Sequence, residues 1–83
     1  MIYEAMREFE GQRVLVTGAD GGVGRAVTAA FHAQGARVCV ADLDCSGLSG
    51  DAALRGDLTD AGYSEDLAGA ARDALGGLDI VVN

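Results

Sequence analysis

One stretch restricts the possible folds of this chain more than any other: Arg13-Val14-Leu15-Val16-Thr17-Gly18-Ala19-Asp20-Gly21-Gly22-Val23-Gly24-Arg25-Ala26. Val14, Leu15 and Val16 form a short apolar run suited to a parallel strand covered on both faces. Gly18, Gly21, Gly22 and Gly24 follow, four glycines in seven positions, more than a tight turn requires. Without Cβ atoms the backbone turns sharply there, and a ligand can approach the main chain closely. Val23, Val27, Ala30 and Phe31 then repeat at helical spacing, so a helix begins near Gly22. Its free N–H groups and positive dipole end face the space above the strand. That is a ready anion site, and the anion most often held at such a turn is a dinucleotide pyrophosphate.

The form G-x-G-x-x-G is absent. Thr17-Gly18-x-x-x-Gly22-x-Gly24 stands in its place, after a strand and before a helix, the context such a motif needs. A P-loop is excluded, because no Gly-Lys-Ser/Thr follows and the chain contains no lysine.

The rest of the chain alternates strands and helices. Residues 1–12 read as a lead-in, with Phe9 placed to plug against the fold. Strand one covers about 13–17 and the first helix about 22–34, which Gly35 stops as a left-handed cap. Strand two is Val38-Cys39-Val40-Ala41, ended by Asp42. Residues 43–52 are polar and glycine-rich, a loop with at most one turn of helix. A short third strand lies around Ala53-Leu54-Arg55-Gly56. Thr59 or Asp60 caps the next helix, whose apolar stripe is Leu67, Ala71, Ala74 and Leu75, and Tyr63 precedes that helix in a packing role. Gly76-Gly77 ends it, and Leu78 to Asn83 form a fourth strand. This order describes an α/β fold, a Rossmann-type doubly wound parallel sheet, incomplete, with four strands in the order 3-2-1-4.

Eighty-three residues make at most one small domain, and 49% hydrophobic content argues against disorder. A net charge of −7 argues against nucleic acid or an anionic membrane as partner, so an anionic ligand must be held by local dipoles. The first ten residues are too charged for a secretory signal, and no later apolar run reaches membrane-spanning length. Cys39 and Cys45 fit neither a metal site nor a disulfide framework; one reads as a buried small hydrophobe and the other as an exposed bystander, and two reduced thiols point to the cytoplasm. His32 reads as a surface histidine with no carboxylate or cysteine at ligand spacing. Glu65, Asp66 and Asp73 read as a solvated helix face.

Asp42, eighteen residues beyond Gly24, stands where an acidic side chain accepts hydrogen bonds from adenosine ribose hydroxyls. A 2′-phosphate there meets carboxylate repulsion, and Asp20 in the loop adds to it. Arg25 follows the last glycine and is expected on the helix surface, and Asp44 is expected to be solvated. NAD is therefore expected over NADP.

Together, Thr17 to Gly24, Asp42, Gly56-Asp57-Leu58-Thr59-Asp60 and Leu78-Asp79-Ile80-Val81-Val82-Asn83 resemble the N-terminal part of a short-chain dehydrogenase/reductase, from about Phe9 onward. The resemblance implies that Gly18, Asp20, Gly21, Gly22, Val23 and Gly24 surround the pyrophosphate and that Asp42 selects NAD. It implies that Asp57 bonds the adenine amine, with Leu58 flanking the ring. Asn83 matches the first asparagine of the family's Asn-Asn-Ala-Gly segment, whose backbone lies beside the cofactor ribose. The turn also fits Thr17-Gly18-x-x-Gly21-x-x-Gly24, the form of the extended branch that includes sugar-nucleotide epimerases and dehydratases. The ending Gly77 to Asn83 resembles the dehydrogenase branch instead.

Residues 1–83 are thus expected to be the N-terminal part of a single Rossmann dinucleotide-binding domain, the cofactor half of an NAD-dependent alcohol or ketone oxidoreductase. The alternatives are a non-catalytic dinucleotide-binding relative and the NAD-binding part of a sugar-nucleotide epimerase or dehydratase. The catalytic serine and Tyr-x-x-x-Lys pair that the family implies have no match here: Tyr3 is followed four residues on by Arg7, and Tyr63 by Leu67. No catalytic or metal-binding residue is assigned, and these residues alone are not expected to catalyse. The expected partners are the C-terminal part of the same fold, a small-molecule substrate and, when complete, further copies in a homo-oligomer. Strand four would otherwise be an apolar, unpaired edge that recruits other strands, so residues 1–83 by themselves are expected to aggregate.

Overall fold

Strand β1, Arg13–Thr17, lies in the interior of the sheet, with Val14, Leu15 and Val16 fully buried. The computed structural model describes residues 9–43, 45, 47, 50–57 and 59–83. Helix α1 spans Gly22–Ala33, strand β2 Arg37–Asp42, strand β3 Ala52–Arg55, helix α2 Ala61–Leu75 and strand β4 Ile80–Val82. The sheet is parallel in the order β3-β2-β1-β4. Val14, Leu15 and Val16 align with Val38, Cys39 and Val40 on one side and with Ile80, Val81 and Val82 on the other.

Strand alternation divides this apolar run between two cores. Val14, Val16, Val38 and Val40 face α1, where Val27 and Phe31 cover them, and Phe9 meets Phe31 edge-to-face at 5.1 Å between ring centroids. Leu15, Cys39 and Ala41 face α2, which supplies Leu67, Ala71 and Leu75.

The helix ends follow local rules. Gly35, with φ 87°, reverses the chain after α1, and its N–H reaches the His32 carbonyl. Asp60 caps α2 by accepting from the Tyr63 N–H at 3.1 Å, and Gly76 ends it in the left-handed conformation. Tyr63 is inside α2 rather than before it. Its hydroxyl donates to the Leu54 carbonyl at 3.1 Å and its ring fills the space beside Gly56, so its role is packing.

Parallel strands are normally joined by a dozen or more residues, usually including a helix. Residues 43–51 alone join β2 to β3. Asp51 pins the end of this crossover to β2: its N–H donates to the Val38 carbonyl at 2.8 Å, and its carboxylate accepts from the Val38 N–H at 2.7 Å. Ala53 and Arg55 stay exposed on β3. Val81 on β4 is 49% exposed.

Candidate functional site

The chain leaves β1 through Gly18, whose φ of 63° belongs to the left-handed region that glycine tolerates. The Gly21 N–H closes the turn onto the Gly18 carbonyl at 3.2 Å, and Gly21 is the N-cap of α1. A Cβ on Gly24 would lie 2.3 Å from the Gly18 carbonyl oxygen, so only glycine lets the helix cross the turn this closely. The bond from the Arg25 N–H to the Gly21 carbonyl begins the helical ladder. The N–H groups of Gly22, Val23 and Gly24 precede it and are the dipole's positive end.

The sheet order reverses at β1, since the chain moves from β1 to β2 on one side and later to β4 on the other. Ligands of open α/β sheets bind in the crevice outside the strand ends at such a reversal. A cavity of about 230 Å³ lies there, lined in part by Thr17, Gly18, Val23, Gly24, Val82 and Asn83. Val23 and Ala30 repeat at helical spacing with Val27 and Phe31. Both are exposed, Val23 at 80%. The first turn of α1 overhangs the ends of the strands, so Val23 borders this cavity instead of meeting the sheet.

On the β2 side, the Asp42 carboxylate accepts from the Asp20 N–H at 3.0 Å and from the Leu43 N–H at 2.6 Å. The acid at the end of β2 is thereby fixed against the glycine turn, with lone pairs left for a ligand. Asp20 also turns Arg25 back onto the loop. The Arg25 Nε donates to the Asp20 carbonyl at 3.1 Å, and its Nη2 pairs with the Asp20 carboxylate. Arg25 is exposed on the helix surface, as its position after the last glycine suggests, but it is not free.

Asp57, just beyond β3, accepts from the Thr59 hydroxyl at 2.7 Å and the Thr59 N–H at 2.8 Å, and these two bonds hold its carboxyl below its ordinary value. Leu58 and Asp44 lie outside the described residues. On the β4 side, the Thr17 hydroxyl is 2.9 Å from Asn83 Oδ1 and 3.2 Å from the Val82 carbonyl, tying Asn83 to the end of β1. The fold thus gathers the glycine turn, Asp42 and Asn83 at one end of the sheet.

Two features were not visible in the chain order. Arg13 and Asp79, 66 residues apart, form a two-point clamp: the Arg13 N–H and Nε donate to Asp79 Oδ2 at 2.8 and 2.9 Å, and Nη2 reaches Oδ1 at 3.2 Å. The Arg13 Nη1 also bonds the Gly76 carbonyl, joining β1 to the turn before β4. His32 is not a free surface histidine, because its Nε2 is 3.2 Å from Asp51 Oδ2. Cys39 is buried, which pushes its thiol up. Cys45 is half-buried rather than exposed, with its Sγ 3.6 Å from the Leu54 carbonyl. Among the described residues no group of three His, Cys, Asp or Glu side chains would hold a metal, and no helix is long and apolar enough to cross a membrane.

A sequence profile of the family described as short chain dehydrogenase matches residues 12–83. The chain belongs to the short chain dehydrogenase family. Among its relatives in that family, a galactitol 2-dehydrogenase of Agrobacterium fabrum is 36% identical over 77 residues, covering 83% of this chain and 30% of that protein. A D-threitol dehydrogenase of Mycolicibacterium smegmatis is 38% identical over 85 residues, covering 89% of this chain and 33% of the relative. A crystal structure of a family member from Brucella melitensis, titled a glucose/ribitol dehydrogenase, matches with a TM-score of 0.77 and 36% identity. That match covers 89% of this chain and 35% of the other. The chain therefore spans about a third of the length of these family members.

Proposed function

We propose that this chain is the cofactor-binding part of an NAD-dependent oxidoreductase that interconverts a secondary alcohol and a ketone. The observation that carries the nucleotide choice is the Asp42 carboxylate, held beside the glycine turn by the Asp20 N–H at 3.0 Å. A ribose offers two hydroxyl donors to such an acceptor, whereas a 2′-phosphate brings further negative charge against it. The N–H groups of Gly22 and Val23 at the α1 N-terminus suit a pyrophosphate, and the absence of a Gly24 side chain lets that helix start close against the turn.

NAD, when bound, supplies a hydride acceptor. This chain's residues would bind and orient it: the α1 N-terminus, with Val23, would hold the pyrophosphate, Asp42 the adenosine ribose, Asp57 the adenine amine, and Asn83 would lie beside the other ribose. No general acid–base role is assigned to any of these residues. The relatives' names support a dehydrogenase acting on an alcohol or ketone without favouring one substrate. The free thiols Cys39 and Cys45 suit a reducing compartment such as the cytoplasm.

The test is a pair of titrations of the protein carrying this segment, with NADH and with NADPH. NADH is expected to bind at least about tenfold tighter, and Asp42→Ala is expected to erase most of that preference. Equal or tighter NADPH binding by the unaltered protein would overturn the assignment.

A further inference from the structure

Asp42 is not the only charged group beside the adenosine site. Arg25 occupies the first turn of α1, where a cation is unfavourable to the helix dipole and where a free guanidinium would attract any anion at the turn. Asp20 removes that attraction from two directions. Its carboxylate pairs with Arg25 Nη2 and its carbonyl accepts from Arg25 Nε at 3.1 Å. On its other side, the Asp20 N–H bonds the Asp42 carboxylate at 3.0 Å. One residue therefore stands between the only described cation of the glycine turn and the acid that faces the ribose.

We infer that Asp20 is a second determinant of cofactor choice, acting by engaging the Arg25 guanidinium that would otherwise be open to pair with a 2′-phosphate. The inference rests on the NAD reading of the site and adds to it a positioning residue that a comparison of Asp42 alone would miss. Arg25 and Asp20 are both well exposed, with 49% and 44% of their side-chain surface accessible, and exposed pairs contribute little to stability. The pair matters for the field at the site more than for the fold. With Asp20 replaced by a neutral side chain, Arg25 keeps its reach and loses its partner. A 2′-phosphate, carrying close to two negative charges, becomes the next anion within range. Asp42 remains, so selection weakens without reversing.

Dissociation constants for NADH and NADPH should be measured for the wild-type protein that carries this segment and for Asp20→Ser, Arg25→Gln and the double variant, with thermal melts of each. The expected result is a wild type selective for NADH and an Asp20→Ser protein whose preference for NADH over NADPH falls about tenfold. Arg25→Gln alone should leave NADPH binding weak, because Asp20 already holds that arginine. The double variant should lose the NADPH gain of Asp20→Ser, since there is no guanidinium to release. A folded Asp20→Ser protein with the wild-type preference would overturn the inference while leaving the NAD reading intact. So would a double variant that keeps the full gain. A wild type that binds NADPH as tightly as NADH would overturn the NAD reading itself, and this inference with it.

Discussion

Gly24 sits where α1 crosses the end of β1, and a methyl group there would lie 2.3 Å from the Gly18 carbonyl and 2.8 Å from the Ala19 Cα. Gly24→Ala is therefore expected to cost about 1–3 kcal/mol of stability by overpacking, seen as a lower urea midpoint, and to weaken NADH binding further by displacing the turn. Gly22 differs, since a Cβ there meets nothing within 4 Å. Gly22→Ala should fold within about 1 kcal/mol of wild type and still bind NADH more weakly, because a side chain beside the Gly22 N–H hinders close approach of a pyrophosphate. Equal NADH affinity in Gly22→Ala would contradict the turn's role as a pyrophosphate cradle. The titrating groups make a second prediction at this scale. The Arg13 guanidinium, bonded to the Asp79 side chain, holds that carboxyl below its ordinary value. Burial opposes charge on Asp51, but bonds from the Val38 N–H and His32, with the charge of Arg37, outweigh it and lower the Asp51 value as well. A carboxyl depressed in the folded state adds stability that is complete above the unfolded value, near about 4, and is lost as pH falls through the folded value. Acid melts should therefore lose stability below about pH 4, and Asp79→Asn, less stable at neutral pH, should show a flatter acid limb. An unchanged limb would show that the clamp does not contribute to this loss.

Helices and strands were mostly readable in the sequence, for reasons visible at particular residues. The run Val14 to Val16 reads as a strand because it is short, apolar and bounded by a glycine turn, and in the fold it pairs on both sides. Asp60 and Gly76 mark the ends of α2 by chemistry that depends only on neighbouring residues. What the sequence hid is set by partners distant in the chain. Nothing local announces that Arg13 will meet Asp79, or that His32 will find Asp51 across the short crossover. Helical spacing puts Val23 in line with Val27 and Phe31 but does not show where the sheet beneath the helix ends, and Val23 stays exposed. Leu15 allows a test of the layered core, lying fully buried under α2 with Leu67, Ala71 and Leu75. Leu15→Ala is expected to cost about 2–5 kcal/mol in equilibrium unfolding while leaving the ratio of NADH to NADPH affinity unchanged, since Leu15 faces away from α1 and its turn. A change in that ratio would mean that the two layers are coupled through the sheet.

As a whole, the molecule is a four-stranded parallel sheet of a short chain dehydrogenase, with helices on both faces and the crevice between β1 and β4 at its strand ends. Its net charge of −7 repels an anionic ligand at long range, so the attraction for a dinucleotide has to come from the oriented N–H groups of the α1 first turn. The sheet ends in β4, where Val81 is 49% exposed, and apolar strand edges pair with other strands. Residues 1–83 expressed by themselves are expected to self-associate in sedimentation velocity. A monomer that melts cooperatively would contradict the view that this apolar edge recruits other strands. The central claim is that the glycine turn and Asp42 together hold NAD. The most direct measurement is a crystal structure of the protein carrying this segment with NAD bound. Pyrophosphate oxygens are expected on the N–H groups at Gly22 and Val23, with an adenosine ribose hydroxyl about 3 Å or less from the Asp42 carboxylate. A nucleotide bound elsewhere on the sheet, or one whose ribose turns away from Asp42, would contradict that claim.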